Sequence, residues 1–104
     1  MKPALTFFSF LLFVLSTFAQ EDSSDFYRQF SSAMENGQIQ TAISIGEKWK
    51  LRESENINAY YLTAKALVKK GRKKEAIENL NEALKIDSTH VPSLLASAEL
   101  LKAS

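Results

Sequence analysis

The sequence repeats itself at an interval of about 34 residues, a length seen in helical repeats. Residues related by this shift are identical or similar in several places: Gly37 and Gly71, Ala42 and Ala76, Ile43 and Ile77, and Phe26 and Tyr60. In such repeats, one hairpin of helices buries its apolar face only against a neighbouring hairpin. We therefore predict an all-α fold, a short α-solenoid of antiparallel helical hairpins over residues 20–104.

Apolar residues at helical spacing predict five helices. They are expected over Asp25–Glu35, from Ile39 to the polar stretch Arg52–Asn56, from Ile57 to the turn at Lys69–Gly71, around Ala76–Ile86, and from Pro92 onward. Gly37 and Gly71 are expected to end the helices before them, because glycine adopts a positive φ without strain.

Two of these helices give specific expectations about burial. The third has Tyr60, Ala64 and Leu67 at four- and three-residue spacing, which indicates one buried face. The fourth has apolar residues on one face and polar residues on the other, so we expect Asn79 to face solvent together with Glu78.

The central copy resembles a tetratricopeptide repeat. The residues that carry the resemblance occupy the family's large, small and apolar positions in order: Tyr60, Thr63–Ala64, Leu67, Ala76, Leu80 and Ala83. Ser88 stands where the family usually has proline. The preceding copy departs further, because Gly46 and Trp49 replace Leu80 and Ala83. The resemblance covers Ser23 to the end of the chain and implies two repeats plus the C-terminal first helix of a third.

Residues 1–19 have the order of a secretory signal peptide. Lys2 gives a positive start, Leu5–Leu15 is an apolar run, and Ser16–Ala19 precedes a cleavage point at Ala19/Gln20. The apolar run is shorter than the roughly 20 residues that a membrane-spanning helix needs. We therefore expect removal of residues 1–19 and export to the periplasm or secretion. An uncleaved membrane anchor is the alternative.

The spacing of reactive side chains argues against an enzyme. The chain has no cysteine, and its single histidine, His90, lies in a predicted linker without partners at catalytic or metal-ligand spacing. We expect His90 to be a solvated loop residue. Acidic side chains fall on outward helix faces and the glycines are isolated, so neither a paired-carboxylate site nor a phosphate-binding loop is expected. The sequence therefore predicts no catalytic residue, cofactor or metal ion.

Charge restricts the class of partner. The formal net charge is +1, and it falls to about zero once the leader with Lys2 is removed, which argues against nucleic acid as a partner. The densest basic run, Lys69–Lys74, is either a solvated turn or a contact for anionic lipid headgroups or an acidic partner. A membrane-associated structural subunit, anchored by an uncleaved leader and this basic turn, is the alternative to an exported adaptor.

By the family resemblance, the first helix of each repeat lines a concave groove that holds an extended or helical peptide. The residues implied to face the groove are Tyr27, Ser31, Met34, Asn58, Tyr61, Lys65, Val68, Leu95 and Glu99. Tyr27, Tyr61 and Leu95 recur at the repeat interval, so they either form a ladder of contacts for a partner or pack between helices. The resemblance implies a non-catalytic adaptor for a protein or peptide partner.

One ligand class is disfavoured by the same comparison. Some co-chaperone members of the family hold a carboxylate terminus with a Lys and an Asn. Tyr27 and Ser31 stand at those positions here. The resemblance therefore argues against a chaperone tail as the partner.

The fifth predicted helix carries apolar residues that no later helix covers. Leu94, Ala98 and Leu101 lie on the face that corresponds to Tyr60, Ala64 and Leu67 in the central copy. Full burial of each leucine contributes roughly 1.5–3 kcal/mol. We expect the protein to form a homodimer, or to dock a larger partner, through this face. The alternative is that the chain is a fragment of a longer repeat array.

Overall fold

The computed structural model describes residues 23–102, which form five α-helices and no β-strand. The helices are α1 (Ser23–Glu35), α2 (Ile39–Arg52), α3 (Ile57–Lys69), α4 (Lys73–Ile86) and α5 (Val91–Lys102). Each helix packs against the next one along the chain. The predicted all-α repeat fold is thus confirmed, with α1 starting two residues before the predicted Asp25. The predicted leader and its cleavage point lie outside the described residues. Within those residues, no helix is both long and apolar enough to cross a bilayer.

Two glycines end helices in the same way. Gly37 has a φ of 74° and Gly71 a φ of 83°, the left-handed region that favours glycine. After α1, the N–H of Gly37 donates to Met34 O at 3.1 Å and the N–H of Gln38 donates to Ala33 O at 2.8 Å. The equivalent bonds after α3 are 3.0 and 2.9 Å long. Both turns are Schellman motifs, so the helices end at the predicted glycines.

The core lies where the two hairpins, α1–α2 and α3–α4, face each other. The larger cluster of buried side chains contains Phe30, Ala33, Ala42, Ile43, Ala64, Ala66, Leu67, Ala76 and Leu80. The smaller one contains Phe26, Trp49 and Ala59, and the rings of Phe26 and Trp49 stack with their centroids 6.1 Å apart. Both clusters draw residues from both hairpins. Neither hairpin therefore buries its apolar face alone, as the repeat period predicts.

Helices α2 and α3 approach closely at Gly46. A Cβ atom on Gly46 would lie 2.0 Å from Oγ1 and 3.1 Å from Cβ of Thr63. Packed atoms do not tolerate the shorter distance, so glycine is required here for the approach and not for its backbone freedom. Thr63 is fully buried, and its hydroxyl has no hydrogen-bond partner among the described residues. The contact with Thr63 explains why Gly46 replaces the leucine of the central copy.

Asn56 joins three helices at one end of the first hairpin. Its Oδ1 caps α3 by accepting from the backbone N–H of Asn58 at 2.9 Å and of Ala59 at 3.4 Å. Its Nδ2 donates to Glu53 Oε1 at 2.8 Å and to Ser23 Oγ at 3.1 Å. Since Glu53 follows α2 and Ser23 begins α1, one side chain fixes the start of α3 relative to both earlier helices.

Tyr60, predicted to lie on the buried face of α3, is only half-buried. The buried residues of α3 are Ala59, Thr63, Ala64, Ala66 and Leu67. The Tyr60 hydroxyl donates to Ser54 O at 2.9 Å, and burial, together with the nearby Glu82 carboxylate, raises the pKa of the phenol. The prediction is wrong because α3 packs against both α2 and α4, and the side chains buried in these contacts are mostly small, with Leu67 as the one large exception.

Asn79, predicted to face solvent, is 8% exposed. Its Nδ2 donates to Glu75 O at 2.9 Å, and its Oδ1 accepts from Lys50 Nζ at 2.6 Å. Lys50 lies on α2 and also forms a salt bridge with Glu47 at 3.0 Å. The prediction fails because burial of an amide is tolerated where both of its polar atoms are hydrogen-bonded.

We predict that Gly46→Ala lowers the free energy of unfolding by about 1–3 kcal/mol, because the new methyl group overlaps Thr63 Oγ1. At an open helical position the same change raises stability by up to about 1 kcal/mol. Thr63→Ala removes the overlapping atoms, so it should recover most of the loss in the double variant. Urea unfolding of the four members of this double-mutant cycle measures the coupling.

Gly37→Ala is the matched control. Its cost comes from the φ of 74°, since a Cβ atom there has no neighbour within 4 Å. That cost should be the same with and without Thr63→Ala. Additive effects of Gly46→Ala and Thr63→Ala would show that the two residues are not in limiting contact.

Candidate functional site

The first helices of the repeats, α1, α3 and α5, line a groove that consists of three hollows. The first, which we call the Tyr27 hollow, lies between α1 and α3. It is lined by Tyr27, Phe30, Ser31, Met34, Glu35, Leu62, Lys65 and Lys69. Tyr27 is 53% exposed there. This hollow therefore offers aromatic and aliphatic surface beside hydroxyl and ammonium groups.

Two further hollows lie between α3 and α5. The Leu95 hollow is lined by Tyr61, Lys65, Val91, Pro92, Leu95, Ala96 and Glu99. The Leu80 pocket, a cavity of about 200 Å³, is lined by Ala64, Lys65, Val68, Lys69, Leu80, Ala96, Glu99 and Leu100. Leu80 comes from α4, is 1% exposed and forms the floor of the pocket. It reaches the groove because Ala64 and Ala96 are small.

Lys65 lies at the centre of the groove and lines all three hollows. Its Nζ is 5.6 Å from the centroid of the Tyr61 ring, a cation–π contact. Lys69, four residues on, lines the Tyr27 hollow and the Leu80 pocket. Neither lysine forms a salt bridge within residues 23–102. Glu35 and Glu99 stand at the α1 and α5 sides of the groove, so the positive charge is concentrated along its middle.

The structure brings eight of the nine predicted groove residues to these hollows. Tyr27, Ser31 and Met34 line the Tyr27 hollow, and the others that line a hollow are Tyr61, Lys65, Val68, Leu95 and Glu99. Asn58 does not line any of the three. It is exposed in the first turn of α3, where its backbone N–H donates to the Asn56 cap.

Several groove residues are missing from the sequence prediction. They are Phe30, Glu35, Leu62, Ala64, Lys69, Leu80, Val91, Pro92, Ala96 and Leu100. Spacing could have identified Leu62 and Lys69, which lie three residues before and four residues after Lys65 on the same helix face. Leu80 had no such signal, because it lies on a second helix and reaches the groove between two others.

His90 is not the solvated loop residue that the sequence predicts. It is half-buried, and its ring meets the Tyr61 ring edge-on with the centroids 5.6 Å apart. Its Nδ1 is 2.7 Å from Ser93 Oγ in the first turn of α5. His90 thus packs against the Tyr61 ring from the side of α5. The Lys65 ammonium group lies over the same ring.

The basic run lies at the α3–α4 turn, beside one end of the groove. Within it, Arg72 donates to Glu75 through Nε at 2.7 Å and through Nη2 at 2.6 Å. This bidentate pair raises the pKa of Arg72 and lowers the pKa of Glu75. Lys70 and Lys74 are exposed and form no salt bridge within the described part of the chain. The run therefore combines an ion-paired arginine with the exposed Lys70 and Lys74.

The outer face of α5 is open in the structure. Leu94 is 45% and Leu101 62% exposed, and Ala98 between them is exposed as well. The neighbouring face of α5 packs on the core through Ser93, Ala96 and Leu100.

The groove has the features of a binding surface. Among residues 23–102, no group of three or more His, Cys, Asp or Glu side chains is placed to hold a metal ion. The hollows combine apolar walls with hydroxyl, ammonium and carboxylate groups, which suit contact with a polypeptide segment.

Comparison with known proteins identifies the family. The sequence model of the family described as anaphase-promoting complex, cyclosome, subunit 3 matches residues 35–103, well over half of the 104-residue chain. No curated protein matches the chain significantly. The matched family is built from tetratricopeptide-like repeats, which serve as protein–protein interaction modules and are typically non-catalytic scaffolds. The match spans α2 to α5, and the chain therefore belongs to the tetratricopeptide-repeat family, as its central copy indicates.

Proposed function

We propose that the protein is an exported, non-catalytic adaptor that binds a peptide or a segment of a protein partner in the groove between α1, α3 and α5. The observation that carries this proposal is that three hollows from three different helices meet at Lys65. A segment that crosses the groove would contact every repeat at once.

The side chains around this junction suit a polypeptide ligand. Tyr27 and Leu95 are 53% and 63% exposed, so they present large apolar contacts before any partner binds. Aromatic side chains lose little conformational freedom on binding, and they dominate the energy of many interfaces. Tyr61 is already ordered by His90 and Lys65, which reduces the cost of binding further.

Export is the second part of the proposal and rests on residues 1–19. Their positive start, apolar run and small-residue end have the order of a cleaved signal peptide. If the leader stays in place, the alternative is a membrane-associated structural subunit whose basic turn contacts anionic lipid. The exposed Lys70 and Lys74 are the groups that would make that contact.

We expect Tyr27→Ala/Tyr61→Ala to lower the affinity for a groove partner by about tenfold to a hundredfold, since the exposed Tyr27 ring and the half-buried Tyr61 ring are both lost from the groove. The measurement is affinity capture from an extract of exported proteins, followed by titration calorimetry on each captured protein. Leu51→Ala is the matched control, because Leu51 is 86% exposed on α2, outside the groove.

Tyr27→Phe/Tyr61→Phe should keep most of the affinity, because the rings remain. Thermal unfolding of every variant separates lost contacts from lost folding. A partner that binds the alanine variant as tightly as the wild type would place the binding surface elsewhere.

We predict that the mature protein begins at Gln20 when the full chain is expressed in a host with a secretory pathway. Intact-mass spectrometry of the purified protein gives its N-terminus, and fractionation of the cells gives its location. An intact leader in the membrane fraction would instead favour the membrane-associated alternative. Release of that species by Lys70→Glu/Lys74→Glu would then assign the contact to the basic turn.

The partner can also include a second copy of the chain, bound through the outer face of α5. Leu94, Ala98 and Leu101 stand one repeat interval after Tyr60, Ala64 and Leu67. In α3, Ala64 and Leu67 are buried in a cluster with Ala76 and Leu80 of α4. A helix of a second copy would cover the α5 face as α4 covers this face of α3.

We expect the wild type to form dimers at micromolar concentration and Leu94→Glu to be monomeric, since a carboxylate on this face opposes its burial. Multi-angle light scattering measures the mass, and thermal unfolding over a range of concentrations measures the linked stability. Tyr27→Glu is the control, because it places the same charge on an exposed groove position. Monomers of equal stability for the wild type and Leu94→Glu would end this proposal.

A further inference from the structure

We infer that the partner segment carries one bulky apolar side chain that fills the Leu80 pocket, next to side-chain carboxylates that bind Lys65 and Lys69. This inference rests on the proposed function and specifies the chemistry of the partner. It commits to an internal acidic segment of a protein, and not to a chain terminus or a lipid.

The Leu80 pocket has the size and the walls for an apolar anchor. Its volume is about 200 Å³, whereas an apolar cavity of about 150 Å³ in another protein takes up benzene. Leu80 and Ala64 are each 1% exposed at its base, and Val68 is 42% exposed at its edge. A leucine, methionine or phenylalanine side chain would therefore remove apolar surface on both the partner and the pocket from water.

The charges at the edge of the pocket select the neighbours of that anchor. Lys65 and Lys69 are four residues apart on α3, so they lie one above the other on the same helix face. Both line the pocket, and neither forms a salt bridge within the described residues. A partner with Asp or Glu beside its apolar anchor would bring two carboxylates to these ammonium groups.

The acidic side chains of the groove limit where that negative charge can lie. Glu99 lines the pocket from α5, and Glu35 lines the Tyr27 hollow from α1. A uniformly acidic segment would meet repulsion at both sides of the groove, whereas acids confined to the centre would not. The complementary segment therefore has acids close to the anchor and neutral or basic residues farther away.

A selection from random peptide segments tests this chemistry without an assumed partner. The segments are displayed between fixed flanking sequences, so that no free carboxyl terminus is present, and the target is the protein purified after expression of the full chain. The expected result is enrichment of segments with a bulky apolar residue beside Asp or Glu. A capped synthetic peptide of an enriched sequence should lose about tenfold in affinity when its acids are replaced by Lys.

Charge reversal in the protein gives a readout that a purely structural role would not produce. Lys65→Glu/Lys69→Glu should weaken the acidic peptide about tenfold and favour its Lys-substituted version. Lys70→Glu/Lys74→Glu makes the same change in net charge outside the groove, so its effect should stay below about twofold. Ala96→Leu, which fills the Leu80 pocket, should weaken both peptides without loss of the folded state, as judged by circular dichroism.

The outcomes separate this inference from the proposed function. Enriched segments that are basic or uncharged, yet need Tyr27 and Tyr61, would overturn the requirement for acids beside the apolar anchor and leave the groove as a binding site. Segments that bind the Tyr27→Ala/Tyr61→Ala variant equally well, or the absence of any enrichment, would overturn both. Enrichment that depends on Lys70 and Lys74 in place of Lys65 and Lys69 would assign the charge contact to the turn and overturn the inference alone.

Discussion

The close contact between Gly46 of α2 and Thr63 of α3 is the constraint on which the stacking of the hairpins depends. Even a Cβ atom on Gly46 would lie 2.0 Å from the Thr63 hydroxyl. That hydroxyl is buried without a hydrogen bond among the described residues, a state that costs about 1–3 kcal/mol. The helices nevertheless meet there, because the surrounding apolar contacts between the two hairpins outweigh one unpaired group. This close contact between α2 and α3 sets the position of α3, the helix that contributes Lys65 to every hollow of the groove.

The α4–α5 pair of helices has a large residue at the position where the α2–α3 pair has Gly46. One repeat interval later, Leu80 takes the place of Gly46 and Ser97 takes the place of Thr63. A leucine does not permit the approach that a glycine permits. The Leu80 side chain extends between Ala64 and Ala96, and an apolar pocket of about 200 Å³ opens between α3 and α5. The difference between the two copies, and not their likeness, thus accounts for the Leu80 pocket.

The sequence predicts the helices well and their contacts less well. The repeat period and the glycines at the turns locate all the helices of residues 23–102, because apolar spacing and positive φ are local properties. Burial is not local. Asn79 is buried because Lys50, far earlier in the chain, reaches its amide, and His90, in the linker before α5, contacts Tyr61 of α3. In the groove, the family resemblance identifies side chains on the first helices, but it gives no indication that Leu80 reaches the groove from α4.

Helix α5 connects the groove with the outer face that Leu94, Ala98 and Leu101 form. Its inner face supplies Ala96 and Leu100 to the wall of the Leu80 pocket, and its outer face exposes Leu94 and Leu101. A helix that packs on one side only is held by fewer contacts than α3, which packs on both, so its local stability is lower. Any partner that covers the outer face would stabilise α5 and, with it, the pocket wall. By the reciprocity of linked binding, a ligand that needs an ordered pocket would strengthen association through the outer face by the same factor.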